Sequence, residues 1–101
     1  MLIGKVIGTV VSTRKEDTLQ GLKFLLLRAT DETGKLKAKD DPVVAADAVG
    51  AGIGELVLYA TGSASRQTHL TDERPVDAVI MAIVDIIDKG DKVSYNKAES
   101  E

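Results

Sequence analysis

Residues 45–67 read AADAVGAGIGELVLYATGSASRQ, one apolar stretch bracketed by two glycine-rich segments. Glu55 to Thr61 supplies the clearest strand of the chain, and the glycines on either side mark tight turns. Gly50-Ala51-Gly52-Ile53-Gly54 alternates glycine, but Glu55 and a strand follow it where a dinucleotide-binding turn requires a helix. Gly50, Gly52 and Gly54 are therefore assigned to a structural turn that needs positive φ. On the other side, Gly62-Ser63-Ala64-Ser65-Arg66-Gln67 places a capping serine before a single helical turn, with two long donors at its end. Read locally it is a connection; read as a contact, its small residues admit a neighbouring subunit and Arg66 bridges to it.

Outward from this segment the chain continues in strands. Leu2 to Thr13 is β-branched and broken by Gly4 and Gly8, which predicts a bent strand. A polar stretch, Arg14 to Gln20, precedes Leu22 to Ala29, a strand apolar on both faces that ends in the turn signal Asp31-Glu32-Thr33-Gly34. Lys35 to Asp41 reads as a solvated loop, Val43 to Ala46 as a short strand after Pro42, Ala78 to Asp88 as one long strand, and Lys92 to Tyr95 as a short last one. About six short strands with at most a helical turn predict an all-β fold, a small five- to six-stranded barrel related to the OB fold, with Gly4 and Gly8 where closure would crowd a side chain. The expected organisation is one barrel domain over residues 1–95 and a polar C-terminal tail over 96–101. Leu22, Phe24 and Leu26 alternate with Leu25 and Leu27, and Ile80, Val84 and Ile86 with Val79, Met81 and Ile83. One small domain has one core, so a second apolar face asks for cover, either from another subunit or from loops folding back.

Composition narrows the partners. The 101 residues suit a single domain of thin core, and the absence of cysteine removes disulfides and thiolate metal sites. Met1-Leu2-Ile3-Gly4-Lys5 lacks the charged front and apolar core of a signal peptide, which predicts a cytosolic chain. The apolar run Ala78 to Val84 is far short of the roughly 20 residues of a membrane span, so no membrane partner is expected. A net charge of −3 and only Phe24, Tyr59 and Tyr95 as aromatics leave a single-stranded nucleic acid neither a basic groove nor stacking platforms, so no nucleic-acid partner is expected and an OB-fold nucleic-acid-binding module is the alternative of a different class.

Reactive groups are sparse. His69 has no second histidine to complete a metal set, and Ser63 and Ser65 near it lack the nucleophile-elbow pattern. Asp40-Asp41 and Asp72-Glu73 read as solvated loop pairs. Asp85, inside an apolar run, either pairs with an amide or with Arg66 or Arg74, or simply points outward at a strand end. No catalytic residue, metal or cofactor is assigned.

Five pieces in order resemble the pentameric vertex proteins of bacterial microcompartment shells: Lys5 to Thr13, Asp47 to Gly52, Gly54 to Leu58, Gly62 to Gln67 and Arg74 to Ala78. Val84-Asp85-Ile86-Ile87-Asp88 and Ser94-Tyr95-Asn96-Lys97 are most similar to the carboxysome branch, rather than the ethanolamine-utilisation branch, and a vertex protein of an ethanolamine- or propanediol-type microcompartment is the alternative. Leu56, where the family often has tryptophan, and Lys39-Asp40-Asp41-Pro42 depart from the pattern. The resemblance implies an OB-like barrel assembled as a homopentamer with a narrow central opening. It also implies a non-enzymatic part in a cytoplasmic shell tiled by hexameric proteins, which in a carboxysome encloses ribulose-bisphosphate carboxylase and carbonic anhydrase. Glu55, Ser63, Ala64, Ser65, Arg66 and Gln67 are expected at the subunit contact or central opening, since small residues stand there beside long donors and the family's distinctive motif falls there.

Overall fold

The computed structural model describes residues 1–12, 21–37, 41–62 and 77–99. Its strands are β1 (Leu2–Val10), β2 (Phe24–Ala29), β3 (Val43–Asp47), β4 (Leu56–Thr61), β5 (Ala78–Ile83), β6 (Ile86–Asp88) and β7 (Val93–Asn96), followed by a 3-10 turn at Lys97–Glu99. The first five close into a barrel in the order β1-β2-β3-β5-β4, with β4 returning to pair with β1, while β6 and β7 form a separate hairpin. Among the described residues only the β3–β5 pair is parallel. Register shifts between Val6 and Gly8 and between Leu58 and Tyr59 bend the sheet where it must curl.

The fold is all-β and the barrel is closed, as the strand pattern predicts; the long strand expected over Ala78 to Asp88 is instead two strands in two sheets. The chain leaves β5 at Val84, whose N–H donates to the Leu56 carbonyl at 2.8 Å, and turns at Asp85. Asp85 is exposed at that corner, consistent with its outward alternative, while Arg66 and Arg74 of the other lie outside the described residues; its carbonyl accepts the Lys97 N–H at 2.8 Å. The expected boundary between barrel and tail falls inside β7, and Lys97–Glu99 are folded back as a turn.

The barrel interior holds Val6, Leu25, Leu27, Ala45, Ala51, Val57, Tyr59, Ala78 and Ile80, large and small side chains interleaved as a narrow barrel requires. Outside it, the second apolar face is covered in part by the chain itself. Leu56, Val84 and Tyr95 are buried together against Ile3, Leu58 and Ile87, so the β6–β7 hairpin lies over the outer surface of β1 and β4. Leu22, Ala46, Ala60 and Val79 make a second outer cluster with Phe24 and Met81.

Closure leaves little room where β1 crosses β4. A Cβ on Gly4 would lie 2.8 Å from Tyr59 Cε1 and 3.0 Å from the Arg28 carbonyl oxygen, whereas one on Gly8 meets nothing nearer than 3.9 Å. The crowding expected at both glycines is therefore real at Gly4 alone. Gly4→Ala should lower stability by about 1–3 kcal/mol through overpacking, and Gly8→Ala by no more than about 0.5 kcal/mol. Urea unfolding of the two variants beside the parent chain checks the difference.

Candidate functional site

The turn after β3 is built around one carboxylate. Asp47 Oδ1 accepts the N–H groups of Val49 and Gly50 at 3.0 Å and of Ala51 at 3.2 Å, satisfying three backbone donors that the turn would otherwise leave open. Gly50 has φ 78° and Gly54 φ 90°, conformations a side chain resists. Gly52 is not in that region and differs from the expectation: its N–H donates to Glu55 Oε1 at 2.6 Å, and its carbonyl accepts the Glu55 N–H at 3.2 Å. The turn is also tied to β1, since Gly54 N–H donates to the Val6 carbonyl at 2.8 Å and Val6 N–H to the Glu55 carbonyl at 3.0 Å.

Glu55 is thereby committed within the chain. One carboxylate oxygen takes the Gly52 amide and the other takes Lys97 Nζ, both side chains being partly buried. The Lys97 hydrogen bond, reinforced by the Gly52 amide, holds the Glu55 carboxyl below its ordinary value of 4.5. Lys97 is the functional partner that sequence reasoning missed, because it stands 42 residues away in a stretch read as tail and no spacing rule connects the two. Asp31 shows the same logic locally: Thr33 and then Lys35 hydrogen-bond its carboxylate and lower its pKa, closing the turn that follows β2.

Ser63, Ala64, Ser65, Arg66 and Gln67 lie outside the described residues, as do His69, Asp72, Glu73 and Arg74. The expected constellation is thus seen only at Glu55 and the three glycines. Among the described residues there is no group of three or more histidine, cysteine or acidic side chains able to hold a metal. Tyr59 and Tyr95 are both buried in apolar clusters, which removes them as base-stacking platforms. What the surface offers instead is aliphatic: Val11, Val44, Val49, Ile53, Ile86 and Val93 are all substantially exposed. Such side chains suit protein contact better than chemistry.

Comparison with known proteins agrees with that character. The family described as "Ethanolamine utilisation protein EutN/carboxysome" matches residues 1–85. A carboxysome shell vertex protein, CcmL of Nostoc sp., is 48% identical over 99 residues, spanning 98% of this chain and 97% of that protein. The solved structure of Nostoc sp. CcmL superposes with a TM-score of 0.89 at 50% identity, covering 96% of this chain and 100% of that one. GrpN of Rhodospirillum rubrum, solved as a pentameric microcompartment shell protein, gives 0.77 at 40% identity over 88% of this chain and 99% of its own. The chain belongs to the EutN/carboxysome family.

Two outcomes follow for the turn. Gly50→Ala should cost about 1–2 kcal/mol, the penalty of placing an L side chain in the left-handed region, and Gly52→Ala measurably less, as thermal melts of both variants will show. The depressed Glu55 pKa means that its contact with Lys97 adds stability above 4.5 and loses it as pH falls through the folded value. Glu55→Gln should therefore be less stable than the parent near neutral pH, the two converging under denaturant as pH drops well below 4.5.

Proposed function

We propose that this chain forms homopentamers that cap the vertices of a polyhedral shell, the carboxysome, in the cytoplasm, where they complete a surface tiled by hexameric shell proteins. The supporting observation is the match along almost its whole length to carboxysome shell vertex proteins, in sequence and in barrel geometry. The physical mechanism is geometric. A head-to-tail contact whose rotation closes after five copies makes a ring with no unused contact. A five-sided tile among six-sided ones introduces the curvature a closed shell needs. No step of bond making or breaking is assigned to the chain.

Ser63 to Gln67 are proposed to line the contact between subunits or the central opening, with Arg66 as the bridging cation. The support is their place immediately after β4 and Gly62, and their pairing of small residues with long donors. Glu55 is given an intrachain part in this proposal, since Gly52 and Lys97 already engage both of its oxygens.

Native mass spectrometry or light scattering of the purified chain should return five copies per particle; a single-copy mass overturns the proposal. Arg66→Glu should then shift the mass toward free subunits at micromolar concentration. A pentamer unchanged by that substitution removes Arg66 from the contact.

A further inference from the structure

Apolar surface outside the barrel interior meets two fates. Beside Val44 a groove of about 520 Å³, lined also by Val10, Val11, Leu22 and Phe24, is left open by the described residues. Along β1 and β4 the β6–β7 hairpin supplies a cover, and the contacts that hold it are separate from those that hold the barrel. The barrel is complete without the hairpin, since β4 pairs directly with β1. Along β4, Val57 and Tyr59 pack in the interior cluster, while Leu56 and Leu58 pack outside with Ile3, Val84, Ile87 and Tyr95. The two clusters share no residue, so parting the hairpin from the barrel undoes the outer one and leaves the inner one packed.

The polar links divide in the same way. Lys97 N–H on the Asp85 carbonyl at 2.8 Å and Lys89 N–H on the Lys92 carbonyl at 2.7 Å lie within the hairpin and travel with it. Val84 N–H on the Leu56 carbonyl ties the chain to β4 just before the corner at Asp85. Beyond that corner two side chains reach across, Lys97 Nζ to Glu55 near the base and Lys89 Nζ to Glu32 at 3.5 Å near the tip, and water reaches both pairs. We propose that the hairpin is a strap that lifts from the barrel as one unit about Val84 and Asp85 while the barrel stays closed, with the Lys97–Glu55 pair as its latch. A unit that carries its own ladder but shares none with its neighbour opens before the whole fold does. Lifting bares Ile3, Leu56 and Leu58, an apolar strip that the closed form covers. The inference concerns one chain and stands apart from the ring proposed above.

Hydrogen exchange of the protein as it assembles, read for the amides of β6 and β7 and for those of β1 and β2, tests the strap. Lifting predicts that the hairpin amides are protected, yet exchange at least about tenfold faster than those of the barrel. Ile80, fully buried in the interior, is packed equally in the closed and lifted forms. Ile80→Val should therefore speed barrel exchange about threefold to tenfold and leave hairpin exchange within about twofold of the parent. Lys97→Met should speed hairpin exchange about twofold to fivefold. Equal acceleration of hairpin and barrel amides in Ile80→Val overturns the strap, because it makes the two one cooperative unit; so do hairpin amides without protection in the parent. Hairpin rates unmoved by Lys97→Met overturn the latch.

Discussion

A barrel of five short strands has one narrow interior, and this chain carries more apolar side chain than that interior holds. Nine buried residues among those described fill it, three of them alanine, and β1 passes β4 so closely that a Cβ at position 4 would meet Tyr59 at 2.8 Å. The outer faces of the same strands are also aliphatic, because β2, β4 and β5 are hydrophobic runs rather than alternating ones. The hairpin covers one outer stretch, Leu22 and Phe24 pack over another, and the groove beside Val44 is among the apolar surface left open by the described residues.

Magnitudes indicate how the hairpin is held. Burying a large aliphatic or aromatic side chain contributes about 1.5–3 kcal/mol, and Leu56, Val84 and Tyr95 are all buried in the hairpin's contact with the barrel. An ion pair that water still reaches adds at most about 1 kcal/mol, and Lys97 and Glu55 both keep part of their surface exposed. Apolar burial therefore supplies the adhesion. The ion pair has a different consequence: it ties the final turn to the Gly52–Glu55 corner, and hence, through Gly54 and Val6, to β1 itself.

The barrel was legible because its signals are local. β-branched runs, the glycine pairs and the Asp31 turn each announce themselves within a few residues, and the strands fall where those signals put them. The break at Val84-Asp85 was not legible, since Ile86 and Ile87 continue the apolar run and only the tertiary bond from Val84 to Leu56 shows that the chain has changed sheets. The same blindness hid the cover on the second apolar face. Leu56 and Tyr95 are far apart in sequence, so the run pattern asked for cover without saying that the chain's own hairpin provides part of it. At the turn, alternating glycines suggested a shared conformational reason, yet Gly52 differs from Gly50 and Gly54 in backbone angle. The four successive N–H groups from Val49 to Gly52 are taken by acidic side chains, the first three by Asp47 and the last by Glu55, a pattern visible in sequence only after the acceptors are known.

A ring of identical subunits is sensitive to the angle between the two surfaces each subunit presents. If that angle drifts, the same contact repeated several times closes on the wrong number or fails to close, because errors add around the ring. In this chain a two-stranded sheet that shares no ladder with the barrel stands against it. A hairpin of that size has little stability alone. Among the described residues its orientation is set by what it meets: Tyr95 against Leu56 and close over Gly34, Val84 bonded to the Leu56 carbonyl, Lys97 on Glu55, and Lys89 beside Glu32. The apolar packing and the partly buried ion pair at this seam therefore set how the hairpin stands on the barrel.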